Sequence, residues 1–261
     1  MSHHRPWPWP RIQAHRGGGA LAPENTLAAI RRGCAMGFRA IEIDARLTSD
    51  EVPVVIHDRT LERTTDGKGA VAQTTSAAIA RLDAGSWFAP EYRGEHVPTL
   101  AGTIAFCRSQ GIWINLEIKR AAGQIARIGE VVARTAAQGY GDLLRPGGDR
   151  AESVVAQAPL LSSFGREALL AARQAAPDLP RGLLVDDVPE NFAAELDQLG
   201  CVSLHTDHET LTRDKARAVK DAGYWLFCYT VDDPARAREI FAWGVDALCT
   251  DRIDLIGAGF A

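Results

Sequence analysis

The sequence predicts an α/β fold, and within that class a single TIM (β/α)8 barrel domain over residues 1–261. Short apolar or β-branched runs recur along the chain, and a helical pattern or a polar connection follows each of them. Glycines such as Gly37, Gly111 and Gly200 stand where helices should end. An open doubly wound sheet is the alternative architecture. However, no GxGxxG motif opens a helix at the expected place, and the glycine run at 17–19 is too compact for one.

The strands and helices of this barrel can be assigned in chain order. Eight segments have the length and composition of barrel strands: Ile12–Arg16, Ala40–Asp44, Trp113–Lys119, Pro159–Ser163, Arg181–Asp186, Cys201–His205, Tyr224–Val231 and Asp246–Thr250. Helical patterns lie between them at residues 24–37, 102–110, 122–138, 166–175, 189–199, 211–222 and 234–243. Thr26 and Asp233-Pro234 carry the side chains expected at helix starts.

The second strand is predicted to form a hairpin with residues 52–58, which would return as an antiparallel arm raised above the sheet. If the turn is centred between Asp50 and Glu51, Asp44 lies opposite His57, and such side chains are about 5 Å apart. This hairpin would bring a carboxylate and an imidazole to one place at the barrel mouth.

Residues 59–101 are too many for an ordinary strand-to-helix loop, and they predict an insertion over the C-terminal mouth of the barrel. Its aromatic residues Trp87, Phe88 and Tyr92 either pack the insertion down or also form a wall of a substrate pocket. Residues 141–152 are rich in turn formers and predict a surface connection.

Composition excludes several classes of partner. The net charge of −4 gives no support for a nucleic-acid partner or an anionic membrane surface. No secretory signal or membrane-spanning run is found, and His3 and His4 lie in a proline-rich terminus that is not expected to bind metal. The five cysteines show no CxxC or zinc-like spacing, so buried reduced thiols and a cytoplasmic localisation are predicted.

Three acidic residues on predicted strands indicate a metal site. Glu42 and Asp44 share one face of the second strand, and Glu117 lies on the third, near the strand ends where barrel active sites form. Carboxylates are costly to bury together unless a cation neutralises them. Their oxygen ligands suit one divalent cation such as Mg²⁺, Ca²⁺ or Mn²⁺.

Basic residues near these acids predict a phosphate ligand and acid–base chemistry. Arg16 and Lys119 are typical of phosphate binding beside a metal. His15 and His57 are the side chains most easily poised for proton transfer near neutral pH. Because residues 162–164 lack GxSxG spacing, we expect water or a substrate hydroxyl to attack the phosphorus.

The chain resembles the glycerophosphodiester phosphodiesterase family, and within it the cytoplasmic bacterial members. The resemblance is carried by an ordered series of motifs: HRGG at 15–18, PENT at 23–26, IEIDARLTSD at 41–50, VVIHD at 54–58, LER at 61–63, NLEIK at 115–119, LLSSF at 160–164, PRGLLVD at 180–186, LGCVSLH at 199–205, YTVDD at 229–233 and GVDALCTD at 244–251. The match runs from about residue 10 to the C-terminus. Many relatives have tryptophan in place of Tyr229 and asparagine in place of Asp232, which bears on substrate preference.

The resemblance implies a TIM barrel that hydrolyses glycerophosphodiesters to sn-glycerol 3-phosphate and an alcohol. It implies that Glu42, Asp44 and Glu117 hold the divalent ion. It also implies that His15 and His57 act as acid and base, and that Arg16 and Lys119 contact phosphate. Glu24, in PENT, is expected to orient Arg16 or His15 from behind.

Two other functions stay open at this point: a metal-dependent isomerase or aldolase of small phosphorylated sugars, and a non-catalytic barrel that senses glycerophosphodiesters. The expected partner is a small-molecule glycerophosphodiester, with no nucleic acid and no membrane insertion. The sequence leaves the oligomeric state open, with a homodimer among the alternatives, and it does not assign the acid and base roles to individual histidines.

Overall fold

One sheet closes on itself to form the body of the protein. The computed structural model describes residues 6–121, 123–143 and 157–260. Its strands are β1 Ile12–Ala14, β2 Ala40–Leu47, β3 Pro53–Val55, β4 Trp113–Ile118, β5 Leu160–Ser163, β6 Arg181–Val185, β7 Ser203–Asp207, β8 Trp225–Tyr229 and β9 Ala247–Thr250. All of them except β3 are parallel, in the order β1-β2-β4-β5-β6-β7-β8-β9, and β9 pairs again with β1. This closed parallel barrel confirms the predicted TIM fold.

Helices surround the barrel within the described residues. They are α1 Leu27–Ala35, α2 Ser76–Ile79, α3 Leu100–Ser109, α4 Ile125–Gly139, α5 Arg166–Ala175, α6 Phe192–Leu199, α7 Arg213–Asp221 and α8 Pro234–Ala242. The predicted starts are confirmed at Thr26 and Asp233, whose side chains accept hydrogen bonds from backbone amides of the first turn. The first helix is shorter than predicted because residues 24–26 form its cap and residues 36 and 37 its terminating turn.

Strand β3 pairs antiparallel with the end of β2, as the predicted hairpin requires, but the register differs by one residue. Ala45 pairs with Val55, and the amide of Ile56 donates to the carbonyl of Asp44, so Asp44 faces Ile56 rather than His57. The prediction was wrong because the turn is centred on Asp50. The Thr48 hydroxyl accepts a hydrogen bond from Val52 N, which closes a loop with an odd number of residues.

The insertion has a small core of its own. Its buried apolar side chains come from β3 and from the segment that follows: Val54, Ile56, Leu61, Val71, Ile79, Ala84 and Val97. Trp87, Phe88 and Tyr92 stack edge to face on one another, and the Trp87 indole donates to the carbonyl of Ala84. These aromatics therefore pack the insertion, and none of them lines the cavity described below. Helix α3 begins at Leu100, slightly before the predicted end of the insertion at 101.

Tryptophans close the barrel at the end opposite the insertion. Trp9 is buried and stacks on Trp113 with ring centroids 4.8 Å apart, and Trp7 and Trp225 meet it edge to face. The cysteines are free, and Cys201, Cys228 and Cys249 are buried as predicted. Among the described helices, none combines the length and apolar character needed to cross a membrane. His3, His4 and most of the predicted connection at 141–152 lie outside the described residues.

Candidate active site

Three carboxylates lie together inside the C-terminal mouth of the barrel. Glu42 and Asp44 point inward from β2 because alternate residues of a strand share one face. Glu117 on β4 is the direct neighbour of Asp44 in the parallel register. One ligand oxygen from each residue lies within 4.8 Å of the others, which is close enough for a shared ion. The sequence-predicted acids are therefore brought together.

Burial makes this cluster electrostatically unfavourable without a cation. Burial, reinforced by the charge of Asp44, raises the pKa of Glu42 to about 8. Burial and the same charge also raise the pKa of Glu117. Burial alone would raise the pKa of Asp44, but the charges of Lys119 and Arg16 outweigh it and the pKa lies well below its usual range. An all-oxygen donor set with this surplus of negative charge fits Mg²⁺, Ca²⁺ or Mn²⁺.

The two predicted phosphate-binding cations border the acidic cluster. Lys119 Nζ lies 3.1 Å from Asp44 Oδ1 and 2.9 Å from Glu117 Oε1. Arg16 Nε lies 3.7 Å from Asp44 Oδ2, and Arg16 Nη1 donates to Glu24 Oε1 at 2.8 Å. Glu24 thus contacts Arg16, one of the two groups it was expected to orient. Arg16 has a left-handed backbone (φ 50°), a conformation that costs free energy and is common at functional sites.

Each predicted catalytic histidine is paired with a carboxylate through Nδ1. His15 Nδ1 lies 2.8 Å from Asp251 Oδ1, and His57 Nδ1 lies 2.7 Å from Asp58 Oδ1. A carboxylate can only accept, so Nδ1 carries the proton in both pairs and Nε2 is left for chemistry. His15 Nε2 lies 3.7 Å from Glu42.

The two imidazoles differ in electrostatic environment. Burial would lower the pKa of His15, but the hydrogen bond to Asp251 and the charge of Glu42 outweigh it, and the pKa lies above its ordinary value. Burial lowers the pKa of His57, and the nearby charges do not reverse the shift. The pKa values of the two histidines are therefore shifted in opposite directions.

The loop after β1 holds these groups in place. Gly19 has φ 55°, and a Cβ there would lie 2.3 Å from the carbonyl oxygen of Asp251, so only glycine fits. Asn25 Nδ2 donates to Asp44 Oδ2 at 2.7 Å, and the Asp44 amide donates back to Asn25 Oδ1. Asp232 accepts from the amide of Asp251 at 2.8 Å. Gly19, which follows the HRGG motif, and Asn25 of the PENT motif thus fix the backbone around the carboxylates.

The predicted site residues other than Glu24 line a cavity of about 240 Å³ with one charged and one apolar wall. The charged wall carries the histidines, the three carboxylates, Arg16 and Lys119. The opposite wall carries Phe164, Leu184, Phe227 and Tyr229. Phe164 and Tyr229 meet edge to face, and the Tyr229 hydroxyl donates to the carbonyl of Val185. A ligand with an anionic group and an organic part would match both walls.

Sequence reasoning missed four polar residues that support the site: Asn25, Asp58, Arg63 and Asp251. Asp58 directly follows His57, so adjacency was an available signal. Asp251 follows β9 at the same mouth as the other acids, and the rule that gave those acids also applies to it. Arg63 lies inside the insertion, and its one signal was the LER motif at 61–63, which does not indicate what its side chain contacts.

Comparison with known proteins assigns the chain to a family. Residues 15–255 match the model of the glycerophosphoryl diester phosphodiesterase family. A glycerophosphodiester phosphodiesterase from Caldanaerobacter subterraneus subsp. tengcongensis is 32% identical over 241 residues, covering 92% of this chain and 93% of that protein.

Solved structures agree with this assignment. A phosphodiesterase from Oleispira antarctica, solved with the product sn-glycerol-3-phosphate, has a TM-score of 0.82 at 32% identity, covering 95% of this chain and 96% of the other. A glycerophosphodiester phosphodiesterase from Agrobacterium tumefaciens has a TM-score of 0.74 at 30% identity, covering 94% and 97%. The protein therefore belongs to the glycerophosphoryl diester phosphodiesterase family and is a glycerophosphodiester phosphodiesterase.

Proposed function

We propose that this enzyme hydrolyses glycerophosphodiesters such as glycerophosphocholine and glycerophosphoethanolamine to sn-glycerol 3-phosphate and the free alcohol. The proposal includes dependence on one divalent cation and catalysis by His15 and His57. It is supported chiefly by one observation: two histidines, each held at Nδ1 by a carboxylate, border a cluster of three buried acids. The related Oleispira antarctica phosphodiesterase was solved with sn-glycerol-3-phosphate as its product.

Glu42, Asp44 and Glu117 would hold the cation. When bound, it would neutralise charge on the non-bridging phosphate oxygens and make the phosphorus more electrophilic. Lys119 and Arg16 carry N–H donors beside the same cluster, so they would bind those oxygens as well. Substrate binding would thus bring the phosphate against the charged wall and the alcohol or glycerol part against the apolar wall.

The histidines would move the protons of the reaction. One Nε2 takes the proton of the attacking hydroxyl as the new P–O bond forms, and the other Nε2 gives a proton to the leaving alcohol oxygen as the old P–O bond breaks. The attacking hydroxyl is either water or the glycerol 2-hydroxyl, which would give a cyclic phosphate that water then opens. Both assignments of acid and base satisfy this proton balance.

A reducing cytoplasm is the compartment we propose, with a role in glycerophospholipid and glycerol metabolism. The compartment is supported by the five cysteines, none of which forms a disulfide. Free thiols of this kind are typical of proteins kept in a reducing environment.

The test is turnover of a panel of glycerophosphodiesters after chelation, with Mg²⁺, Ca²⁺ and Mn²⁺ added back separately. We expect chelation to abolish alcohol release and at least one ion to restore it. We expect His15→Ala and His57→Ala each to lose about 10²–10⁴-fold in kcat. Full activity in EDTA would refute the metal site, and wild-type turnover by His57→Ala would refute the histidine assignment.

A further inference from the structure

A single guanidinium from the insertion joins two carboxylates at the rim of the active site. Arg63 Nη1 and Nη2 donate to Glu24 Oε2 and Oε1 at 2.6 and 2.8 Å. Arg63 Nε and Nη2 donate to Asp58 Oδ2 and Oδ1 at 2.6 and 2.9 Å. Both contacts are bidentate, the geometry that carboxylates make with arginine but not with lysine.

The two carboxylates each hold one group of the proposed catalytic machinery. Glu24 accepts from Arg16 at 2.8 Å, so it sets the direction of the phosphate-binding guanidinium. Asp58 contacts His57 Nδ1 at 2.7 Å, so it sets the ring orientation and tautomer of the imidazole. Arg63 therefore contacts both supporting carboxylates: the one that holds Arg16 and the one that holds His57.

The insertion core fixes the backbone that presents Arg63. Leu61 is buried in that core, and its carbonyl accepts from the amide and the hydroxyl of Thr65. This turn encloses Arg63 and directs its side chain from the insertion to the barrel mouth. The hydrogen bond from Arg63 is the main cause of the low pKa of Asp58, so Asp58 stays an acceptor for His57.

We propose that Arg63 is a positioning residue that aligns Arg16 and His57 together, through Glu24 and Asp58, and so makes the insertion a working part of the active site. The inference rests on the proposed roles of Arg16 and His57. Without the guanidinium, Glu24 and Asp58 would repel one another, and each would lose two of the hydrogen bonds that hold it. Arg16 would then be less well aligned for phosphate binding, and His57 less well aligned for proton transfer.

The experiment compares wild type, Arg63→Ala, Arg63→Lys and Arg127→Ala for hydrolysis of glycerophosphocholine at saturating metal. Arg127 is a matched control because it also bridges two carboxylates, Glu51 and Glu130, and its side chain is 43% exposed against 44% for Arg63. Within the described residues its ion pairs go to Glu51 and Glu130, and neither of these lines the cavity. Guanidinium chloride is added to each enzyme well below the concentration that unfolds it, and His57→Ala serves as the reference for lost catalysis.

We expect Arg63→Ala to lower kcat about 10- to 100-fold and to raise KM, with Arg127→Ala unchanged. Arg63→Lys should fall between wild type and Arg63→Ala, because an ammonium restores the charge but cannot pair bidentately with both carboxylates. Added guanidinium should recover part of the kcat of Arg63→Ala. A merely structural loss would worsen in this denaturant, so recovery distinguishes positioning from folding.

Two results would overturn the proposal. The first is wild-type kcat and KM in Arg63→Ala. The second is a loss that neither guanidinium nor the lysine variant reverses. If His57→Ala retains full activity, the proposed catalytic function itself fails. If His57→Ala is inactive but Arg63→Ala behaves as wild type, the function stands and only the role of Arg63 is wrong.

Discussion

Replacing Asp251 tests whether the carboxylate behind His15 contributes to catalysis. Asp251 Oδ1 lies 2.8 Å from His15 Nδ1, and the Asp251 side chain is 39% exposed. Asparagine has the same shape and keeps an acceptor oxygen at that position, so Asp251→Asn removes the charge but not the hydrogen bond. The Asp251 backbone contacts to Ala20 and Asp232 do not involve the side chain and should persist.

The size of the effect follows from the difference between the two kinds of hydrogen bond. A bond to a charged group contributes about 1.5–3 kcal/mol and a neutral one about 0.5–1.5 kcal/mol. Because solvent screens the partly exposed Asp251, we take the lower part of that difference, about 1 kcal/mol. Asp251→Asn should then lower kcat about fivefold, and Asp251→Ala, which also loses the acceptor, about 30-fold.

Initial rates of sn-glycerol 3-phosphate release from glycerophosphocholine at saturating substrate and metal measure these changes. Asp254→Asn is the control, since Asp254 is 35% exposed and its ion pair within the described residues is with Arg252, away from His15. The reasoning would be refuted if both Asp251 variants kept the wild-type kcat. An equal decrease in Asp254→Asn would show that the loss is unrelated to His15.

Three further predictions concern the tryptophans that close the barrel opposite the insertion, a buried histidine, and the hydrogen bonds from Asn25 to Asp44. Trp9→Ala should lower the free energy of unfolding in urea by about 3–5 kcal/mol and leave kcat unchanged, because Trp9 is 4% exposed at the end opposite the site; a loss below 1 kcal/mol would contradict this. His205 is fully buried with a pKa of about 3, whereas an unfolded histidine titrates near 6.5, so stability should decrease as pH falls below 6.5. His205→Gln should reduce that slope by about 1.4 kcal/mol per pH unit, and an unchanged slope would refute the assignment. Asn25→Ala loses both hydrogen bonds to Asp44 and should weaken metal affinity about 10- to 100-fold, measured by calorimetric titration; wild-type affinity would exclude this role.

The barrel and its acids could be predicted because the relevant signals are local. Glu42 and Asp44 alternate with buried isoleucines on one strand, and this alternation places both carboxylates on the same face of the strand. Glu117 follows the same rule on β4. The parallel register, which a sequence does not state, then makes Asp44 and Glu117 neighbours. The prediction of a shared acid cluster therefore needed only the strand positions and the barrel class.

The errors and omissions concern contacts that depend on turn geometry or on closure. The hairpin register was wrong by one residue because the Thr48 side chain closes an odd-numbered loop, which composition alone does not specify. Arg63 was missed because its two partners are 39 and 5 residues away in sequence, and only the folded insertion brings it to Glu24. Such contacts leave no periodic pattern in the chain.

The two histidines depend on the fold to different degrees. His57 is held by its sequence neighbour Asp58, so this pair can form wherever the hairpin forms. His15 and Asp251 are 236 residues apart and meet only because β1 pairs with β9, with Ala14 beside Thr250. The proposed catalytic pair of His15 and His57 is therefore complete only after the last strand closes the barrel. It follows that opening of the β1–β9 seam should abolish activity while the hairpin, and with it the His57–Asp58 contact, is still intact.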